Sequence, residues 1–498
     1  MKDEQSKLPN WLKKRADLSP GMVGIIFEEK EYTFKEIYDT TVCYSKKLYA
    51  KGIHQHQVVG VLQSNTIEMV FTIYALMHIG AKIVLFNTRL TNEELSWQFK
   101  DAKVQWLITS EFYAHIQPVF PQPEACLYIE QVSKWEESDQ FTILEEFDLA
   151  QTATIMYTSG TTGFPKGVIQ TYGNHWWSAM GSMLNLGLQA EDKWLCTLPL
   201  FHISGLSILY KSVIYGMSII LHQQFCEKAA NKAILEQGVT IMSVVTATLN
   251  RLMYELGEKN YPASFRCMLL GGGPAPLTLL EKCHDKGIPV FQTYGMTETA
   301  SQISTLSPQY SFEKVGSAGK ALFPSQLKIV KDGKEALSNE IGEILVKGPN
   351  VTIGYANRSE ATKQAFDDGW LKTGDMGYCD EEGFLYVVDR RSDLIISGGE
   401  NIYPAEIENI LMKHPAIFEA GITGVEDERW GQVAAAFIVL HENEQEDLQS
   451  IFEHCRKYLA TYKIPKYIYI VDELTRNSAN KLVRKDLKKL IPVQEKVQ

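Results

Sequence analysis

TATIMYTSGTTGFPKG, Thr152 to Gly167, decides how this chain is read. Thr152 to Tyr157 is a strand-like run of β-branched and apolar residues that empties into a loop of hydroxyls and glycines closing on Lys166. Glycines such as Gly160 let a backbone approach an anion. The hydroxyls of Thr158, Ser159, Thr161 and Thr162 add donors, and Lys166 adds charge, a combination suited to phosphate. It is not the GxxxxGK[ST] loop: Pro165 stands where the second glycine is needed, and Gly167 follows the lysine. Taken alone, the tract also fits a flexible surface loop.

Four further stretches give the loop context: YGMTE at Tyr294–Glu298, TGD at Thr373–Asp375, DRRSDLIISGGENIYP from Asp389 to Pro404, and RNSANK at Arg476–Lys481. In that order they resemble the signatures of the adenylate-forming superfamily, which contains acyl-CoA synthetases, luciferases and the adenylation domains of peptide synthetases. The resemblance covers nearly the whole chain.

With 498 residues, two or three cooperative units are expected. A net charge of −11 disfavours nucleic acid as a partner. The eight cysteines are scattered without a CxxC pair, so neither a zinc site nor a disulfide framework is indicated, and a reducing cytoplasm is expected. The first residues, MKDEQSKLPNWLKKR, lack the apolar run of a signal peptide. Ile67–Phe86 is apolar but carries Glu68, His78, Gly80 and Lys82, and reads as a core helix followed by a strand; no transmembrane segment is expected. A homo-oligomer is compatible with this composition.

Along the chain, strands Val58–Gln63, Lys82–Phe86 and Val104–Ile108 alternate with helices, which implies a mostly parallel sheet covered on both faces. Gln117–Leu149, with three prolines and an acidic run, reads as an irregular surface excursion. A second α/β system is expected from His175 to Gly295, and short strands with turns from Val315 suggest a small antiparallel or barrel-like subdomain. The expected class is therefore a large α/β N-terminal domain, residues 1–391, made of two α/β sheet subdomains and a β-barrel-like one. A smaller α+β C-terminal domain, residues 392–498, follows; the resemblance implies that it is mobile.

The resemblance also implies a reaction and a cast of residues. A carboxylate attacks the α-phosphate of ATP with loss of pyrophosphate, and the thiol of coenzyme A then displaces AMP, with Mg²⁺ assisting the first step. Thr158, Ser159, Gly160, Thr161, Thr162 and Lys166 would grip the β- and γ-phosphates. Glu298 would help hold Mg²⁺, and Thr297 would contact the α-phosphate. Tyr294 would offer a face to adenine, with Gly295 and Met296 beside it, while Gly271, Gly272 and Gly273 would let the backbone come close to the nucleotide. Asp375 suits the paired ribose hydroxyls, and Arg390 would reach ribose or phosphate. Lys481 would be the adenylation lysine, Ser392 the hinge, and Gly398 and Gly399 part of the coenzyme A tunnel.

For the acid itself, the stretches NHWWSAMGSMLNLGL, LPLFHISGLSILYKSVIYGM and FQTYGMTETASQI resemble the menaquinone-pathway branch that acts on o-succinylbenzoate. His202 would then gate the acyl pocket, with Gly272 along it. The substrate's second carboxylate needs a cation, and Lys211, nine residues after His202, is the candidate. Lys211 fits equally well a lysine snorkelling from a helix. A fatty-acyl or aryl-CoA ligase is the rival reading.

Overall fold

Capping chemistry sets the helices near the start of the chain. The Thr33 side chain accepts from the Glu36 amide while Glu36 reaches back to the Thr33 amide, a capping box that opens helix Phe34–Ala50. Helix Ile67–Ile79 begins at Thr66, which accepts from the Met69 amide, and stops at Gly80 with φ 78°. Apolar on every side, it is buried along nearly its whole length, as an interior helix must be. Among the described residues no helix is long and apolar enough to cross a membrane.

The structure, a computed structural model, describes residues 6–158, 165–272, 277–389, 393–402, 404–441, 447–475, 482 and 484–491. The chain divides into two compact units. The first is Met1–Thr88, Phe99–Tyr157 and Gly167–Val388; the second is Arg89–Gln98, Thr158–Lys166 and Asp389–Gln498.

A seven-stranded sheet runs in the order Gly354–Tyr355, Lys166–Thr171, Thr152–Thr158, Lys82–Leu85, Val58–Leu62, Trp106–Thr109, Cys126–Tyr128. Its central pairs are parallel, and the two-residue strand Gly354–Tyr355 closes one edge antiparallel to Val168–Ile169. The expectation of an irregular excursion over Gln117–Leu149 needs correction. Cys126–Tyr128 is a sheet strand, and Phe147, fully buried, stacks on Tyr172 at 4.2 Å between ring centroids. Three-residue strands are too short to show a period, so no pattern announces them.

A nine-stranded sheet carries Cys267–Gly271, Val290–Met296 and Ser301–Leu306 toward one edge, and the early hairpin Val23–Phe27 and Lys30–Thr33 forms the other. That hairpin joins by parallel pairing of Ile25–Phe27 with Ile219–Leu221, a partner about two hundred residues away that local pattern cannot reveal. A six-stranded antiparallel sheet occupies the region expected to hold short strands after Val315. Its core cluster includes Ile329, Ile344, Val346 and Leu371 together with Tyr294 and Ile303.

The second unit has a five-stranded sheet in which Ile417–Asp427 pairs along its length with Gly431–Leu440, and Tyr467–Ile470 lies parallel to the latter. Helices Pro404–Leu411 and Leu448–Tyr458 bury Ile407, Leu411, Ile451 and Cys455 in its core. Within this unit the buried Lys463 ammonium lies 2.7 Å from Glu94 and 2.8 Å from Glu406, and Arg89 lies 2.7 Å from Glu400.

Candidate active site

The YGMTE stretch forms the end of strand Val290–Met296, and the chain turns back through a 3₁₀ turn, Thr297–Thr299, into the antiparallel strand Ser301–Leu306. The register shifts between Tyr294 and Gly295. A Cβ on Gly295 would stand 1.9 Å from the Ser301 carbonyl oxygen, so the bulge admits only glycine. The turn holds Glu298 at 8% exposure.

Its backbone is tied down one carbonyl at a time. Gln170 Nε2 donates to the Thr297 oxygen at 2.6 Å, and the Thr352 amide donates to the Glu298 oxygen at 2.7 Å. Asn350 Nδ2 donates to the Thr299 oxygen at 3.1 Å, and Ser178 Oγ to the Ala300 oxygen at 2.6 Å. Tyr355 donates its hydroxyl to Glu298 Oε1 at 3.1 Å.

Behind Gln170 the bonding is directional. Thr154 gives its hydroxyl hydrogen to Gln170 Oε1 at 3.0 Å, so it accepts from His175 Nε2 at 2.8 Å, which places the imidazole hydrogen on Nε2. Burial pushes His175 down to about 3, so the ring stays neutral and the chain of donors does not reverse near neutral pH.

Asp375 lies in strand Trp370–Cys379 at 6% exposure, its amide donating to Thr373 Oγ1 at 3.0 Å. The Tyr294 hydroxyl donates to Asp375 Oδ2 at 2.7 Å, and the Tyr294 ring is itself buried at 6% exposure. The structure thus joins the YGMTE tyrosine to the TGD aspartate, two residues the sequence assigned separately to adenine and ribose.

His202 is the N-cap of helix Ile203–Tyr215, half-buried, with its ring 4.8 Å from Phe201. Lys211 lies in the third turn of that helix and is 2% exposed, which rules out snorkelling. Its Nζ reaches Gln302 Oε1 at 3.4 Å and sits 5.0 Å from the Trp194 ring centroid. Gln302 passes its own amide hydrogen to Thr305 Oγ1 at 3.1 Å, which orients the carboxamide oxygen toward the lysine. Among the described residues no carboxylate pairs with Lys211, and the neighbouring Cys267 thiol is pushed up to about 12 by burial and is neutral. Burial pushes Lys211 itself down to about 7.

Thr158 ends one strand and Lys166 begins its neighbour, so the two described flanks of the hydroxyl loop are strand termini. Gly271 ends strand Cys267–Gly271 and Gly272 follows it. Gly398 and Gly399, with φ 57° and 89°, are the central residues of the hairpin joining Ile395–Ser397 to Glu400–Ile402. A two-residue turn with positive φ at both positions demands such residues, whatever else they line. Ser159, Gly160, Thr161, Thr162, Gly273, Arg390, Ser392 and Lys481 lie outside the described residues.

Among the described residues no three His, Cys, Asp or Glu side chains converge as a metal cage. One buried carboxylate on a fixed turn, Glu298, does fit Mg²⁺ that arrives on a nucleotide, since that ion keeps waters and phosphates and takes one or two protein carboxylates.

Residues 12–356 match the family described as AMP-binding enzyme, and residues 406–481 match the AMP-binding enzyme C-terminal domain. The chain belongs to the AMP-binding enzymes. Among them it is 55% identical over 488 residues to the 2-succinylbenzoate–CoA ligase of Geobacillus kaustophilus, covering 98% of this chain and 99% of that protein. A double mutant of o-succinylbenzoate CoA synthetase from Bacillus subtilis, solved with its product analogue OSB-NCoA, is 48% identical with a TM-score of 0.93, covering 97% of this chain and 98% of that one. The same synthetase with ATP and magnesium ion is 47% identical with a TM-score of 0.76, covering 97% and 100%. Within this AMP-binding enzyme, sequence reading singled out Glu298, Asp375 and Lys211, all buried, but not the side chains around them, Gln170, Gln302, Asn350, Thr352 and Tyr355. They come from strands and from the segment Asn350–Thr352, distant in sequence from the site residues they bond to, and no local motif marks them.

Proposed function

We propose that the protein is an AMP-forming acid–thiol ligase that converts o-succinylbenzoate to o-succinylbenzoyl-CoA at the expense of ATP, a step of menaquinone biosynthesis. A carboxylate oxygen of the acid attacks the α-phosphorus of ATP, the bond to pyrophosphate breaks, and an acyl-adenylate results. The thiolate of coenzyme A then attacks the acyl carbon, and AMP leaves with the electron pair of the acyl–oxygen bond. Thr158, Lys166 and the hydroxyl loop between them hold the β- and γ-phosphates, and Thr297 faces the α-phosphate. Asp375, an acceptor when ionised, takes the ribose hydroxyls in exchange for the Tyr294 hydroxyl. Mg²⁺, when bound, neutralises charge developing on the phosphates, and Glu298 is the carboxylate positioned to meet it. Lys481 bridges the attacking carboxylate and the phosphate oxygens as charge moves between them. His202 gates the acyl pocket, Arg390 reaches the ribose or phosphate, and Gly398 and Gly399 line the thiol's approach.

The observation that carries the choice of acid is Lys211. An ammonium whose one hydrogen bond among the described residues is a long one to a neutral amide, buried on the helix that His202 caps, is an incomplete ion pair. A substrate with a second carboxylate completes it; benzoate or a long-chain fatty acid leaves it buried and unpaired. Pyrophosphate release and thioester formation, followed with ATP, Mg²⁺, coenzyme A and a panel of carboxylates, test the reading. o-Succinylbenzoate is expected to be the preferred acid, and a preference for benzoate or a fatty acid overturns the assignment.

A further inference from the structure

The four hydrogen bonds to the carbonyls of Thr297, Glu298, Thr299 and Ala300 come from the helix and strand around Gln170 and Ser178 and from the segment Asn350–Thr352. They fix where the Cα–Cβ bond of Glu298 points. They leave its three side-chain torsions undetermined, and a carboxylate that must meet a cation needs its plane fixed as well. The Tyr355 hydroxyl on Glu298 Oε1 addresses that.

Tyr355 is itself held. It belongs to the two-residue strand Gly354–Tyr355, which pairs with Val168–Ile169, and its amide donates to Thr362 Oγ1 at 3.0 Å. Thr352, two residues before that strand, donates its hydroxyl to the Ile169 carbonyl and gives its amide to Glu298. One short segment therefore places both the backbone and the carboxylate of the turn. An ionised carboxylate is acceptor-only, so a phenol can bond to it only as a donor, and the direction of this hydrogen bond is fixed.

We propose that Tyr355 is a positioning residue that orients the Glu298 carboxylate toward the divalent ion of the metal–nucleotide complex. The proposal rests on the reading of Glu298 as the metal-facing acid. Carboxylates that ligate metals are held by outer hydrogen bonds of this kind, and losing one costs roughly 10- to 100-fold in metal affinity.

The test measures Mn²⁺ affinity in the presence of ATP by electron paramagnetic resonance, with no turnover, for the intact protein, Tyr355→Phe, Glu298→Gln and the double variant. Tyr355→Phe is expected to weaken Mn²⁺ binding about tenfold. Glu298→Gln is expected to weaken it further, and the double variant should match Glu298→Gln, because an orienting hydroxyl has no effect once the carboxylate it orients is gone. Unchanged Mn²⁺ affinity in Tyr355→Phe, or losses that add in the double variant as two independent structural defects would, overturns the proposal. If Glu298→Gln alone leaves Mn²⁺ affinity intact, the assignment of Glu298 fails, a result separable from failure of Tyr355.

Discussion

On the proposed reading, Lys211 trades stability for specificity. A lysine beside Trp194, Gln302 and Cys267, with no carboxylate paired to it among the described residues, carries the cost of burial without a counter-ion there to offset it. Lys211→Met keeps the volume and removes the charge, and is expected to stabilise the protein by roughly 1–4 kcal/mol in denaturant unfolding. The same variant should lose most of its kcat/KM for o-succinylbenzoate while gaining on monocarboxylates; unchanged selectivity would dissociate Lys211 from the second carboxylate. The pH dependence follows from burial pushing this amine down to about 7. Above that value the free protein loses the proton, so kcat/KM for o-succinylbenzoate, divided by that for a monocarboxylate, should fall about tenfold per pH unit. Stability moves the other way: between about 7 and the ordinary lysine value near 10.4 the unfolded chain binds the proton and the folded one does not, so folding is favoured as pH rises. Sequence identified Lys211 by spacing but could not tell a buried ammonium from a snorkelling one, because that depends on Trp194 and Gln302, seventeen and ninety-one positions away.

At the scale of elements, what the sequence made legible depended on length and period. Helix Ile67–Ile79 and the parallel strands of Val, Ile and Leu are long enough to announce themselves, whereas Cys126–Tyr128 and Gly354–Tyr355 are not. Yet the second of these carries Tyr355, so part of the site was hidden for the same reason as part of the fold. The segment Arg89–Gln98 is a comparable case: it reads only as the start of a helix, but within the second unit its Glu94 shares the Lys463 ammonium with Glu406. Burial works against the charge on Lys463, but Glu406, Tyr462 and Glu94 outweigh it and hold the amine above its ordinary range. Burial lifts Glu406, with Lys463 opposing. Lys463→Met would leave two carboxylates facing each other without a cation and is expected to destabilise the second unit by roughly 3–5 kcal/mol, measured by hydrogen exchange in helix Pro404–Leu411. Lowering the pH should recover part of that loss. An acid whose folded-state pKa is raised binds its proton more readily folded than unfolded, so acidification favours the folded form. A variant equally unstable at pH 5.5 and 7 would show that charge is not the cause.

For the molecule as a whole, the two half-reactions make opposite demands. Adenylation brings a dianionic acid up to a polyanionic nucleotide and needs a cation to screen the approach, the role proposed for Lys481; thioester formation brings a thiolate to a carbon already activated as a mixed anhydride. If Lys481 serves only the first, Lys481→Ala should abolish pyrophosphate release from ATP and acid yet still convert supplied o-succinylbenzoyl-adenylate and coenzyme A to thioester. Ser392, proposed as the hinge, is the complementary site. Proline there fixes φ near −65° and removes an amide, so if Ser392 is the hinge the variant restricts the change of conformation between steps without removing a catalytic side chain. Ser392→Pro should therefore retain acyl-adenylate formation in single-turnover experiments and slow thioester formation from that adenylate, the reverse of Lys481→Ala. The pair distinguishes chemistry from motion. A protein that used one arrangement for both steps would show Ser392→Pro losing the two half-reactions in equal measure, and would remove the reason for assigning separate roles to the lysine and the hinge.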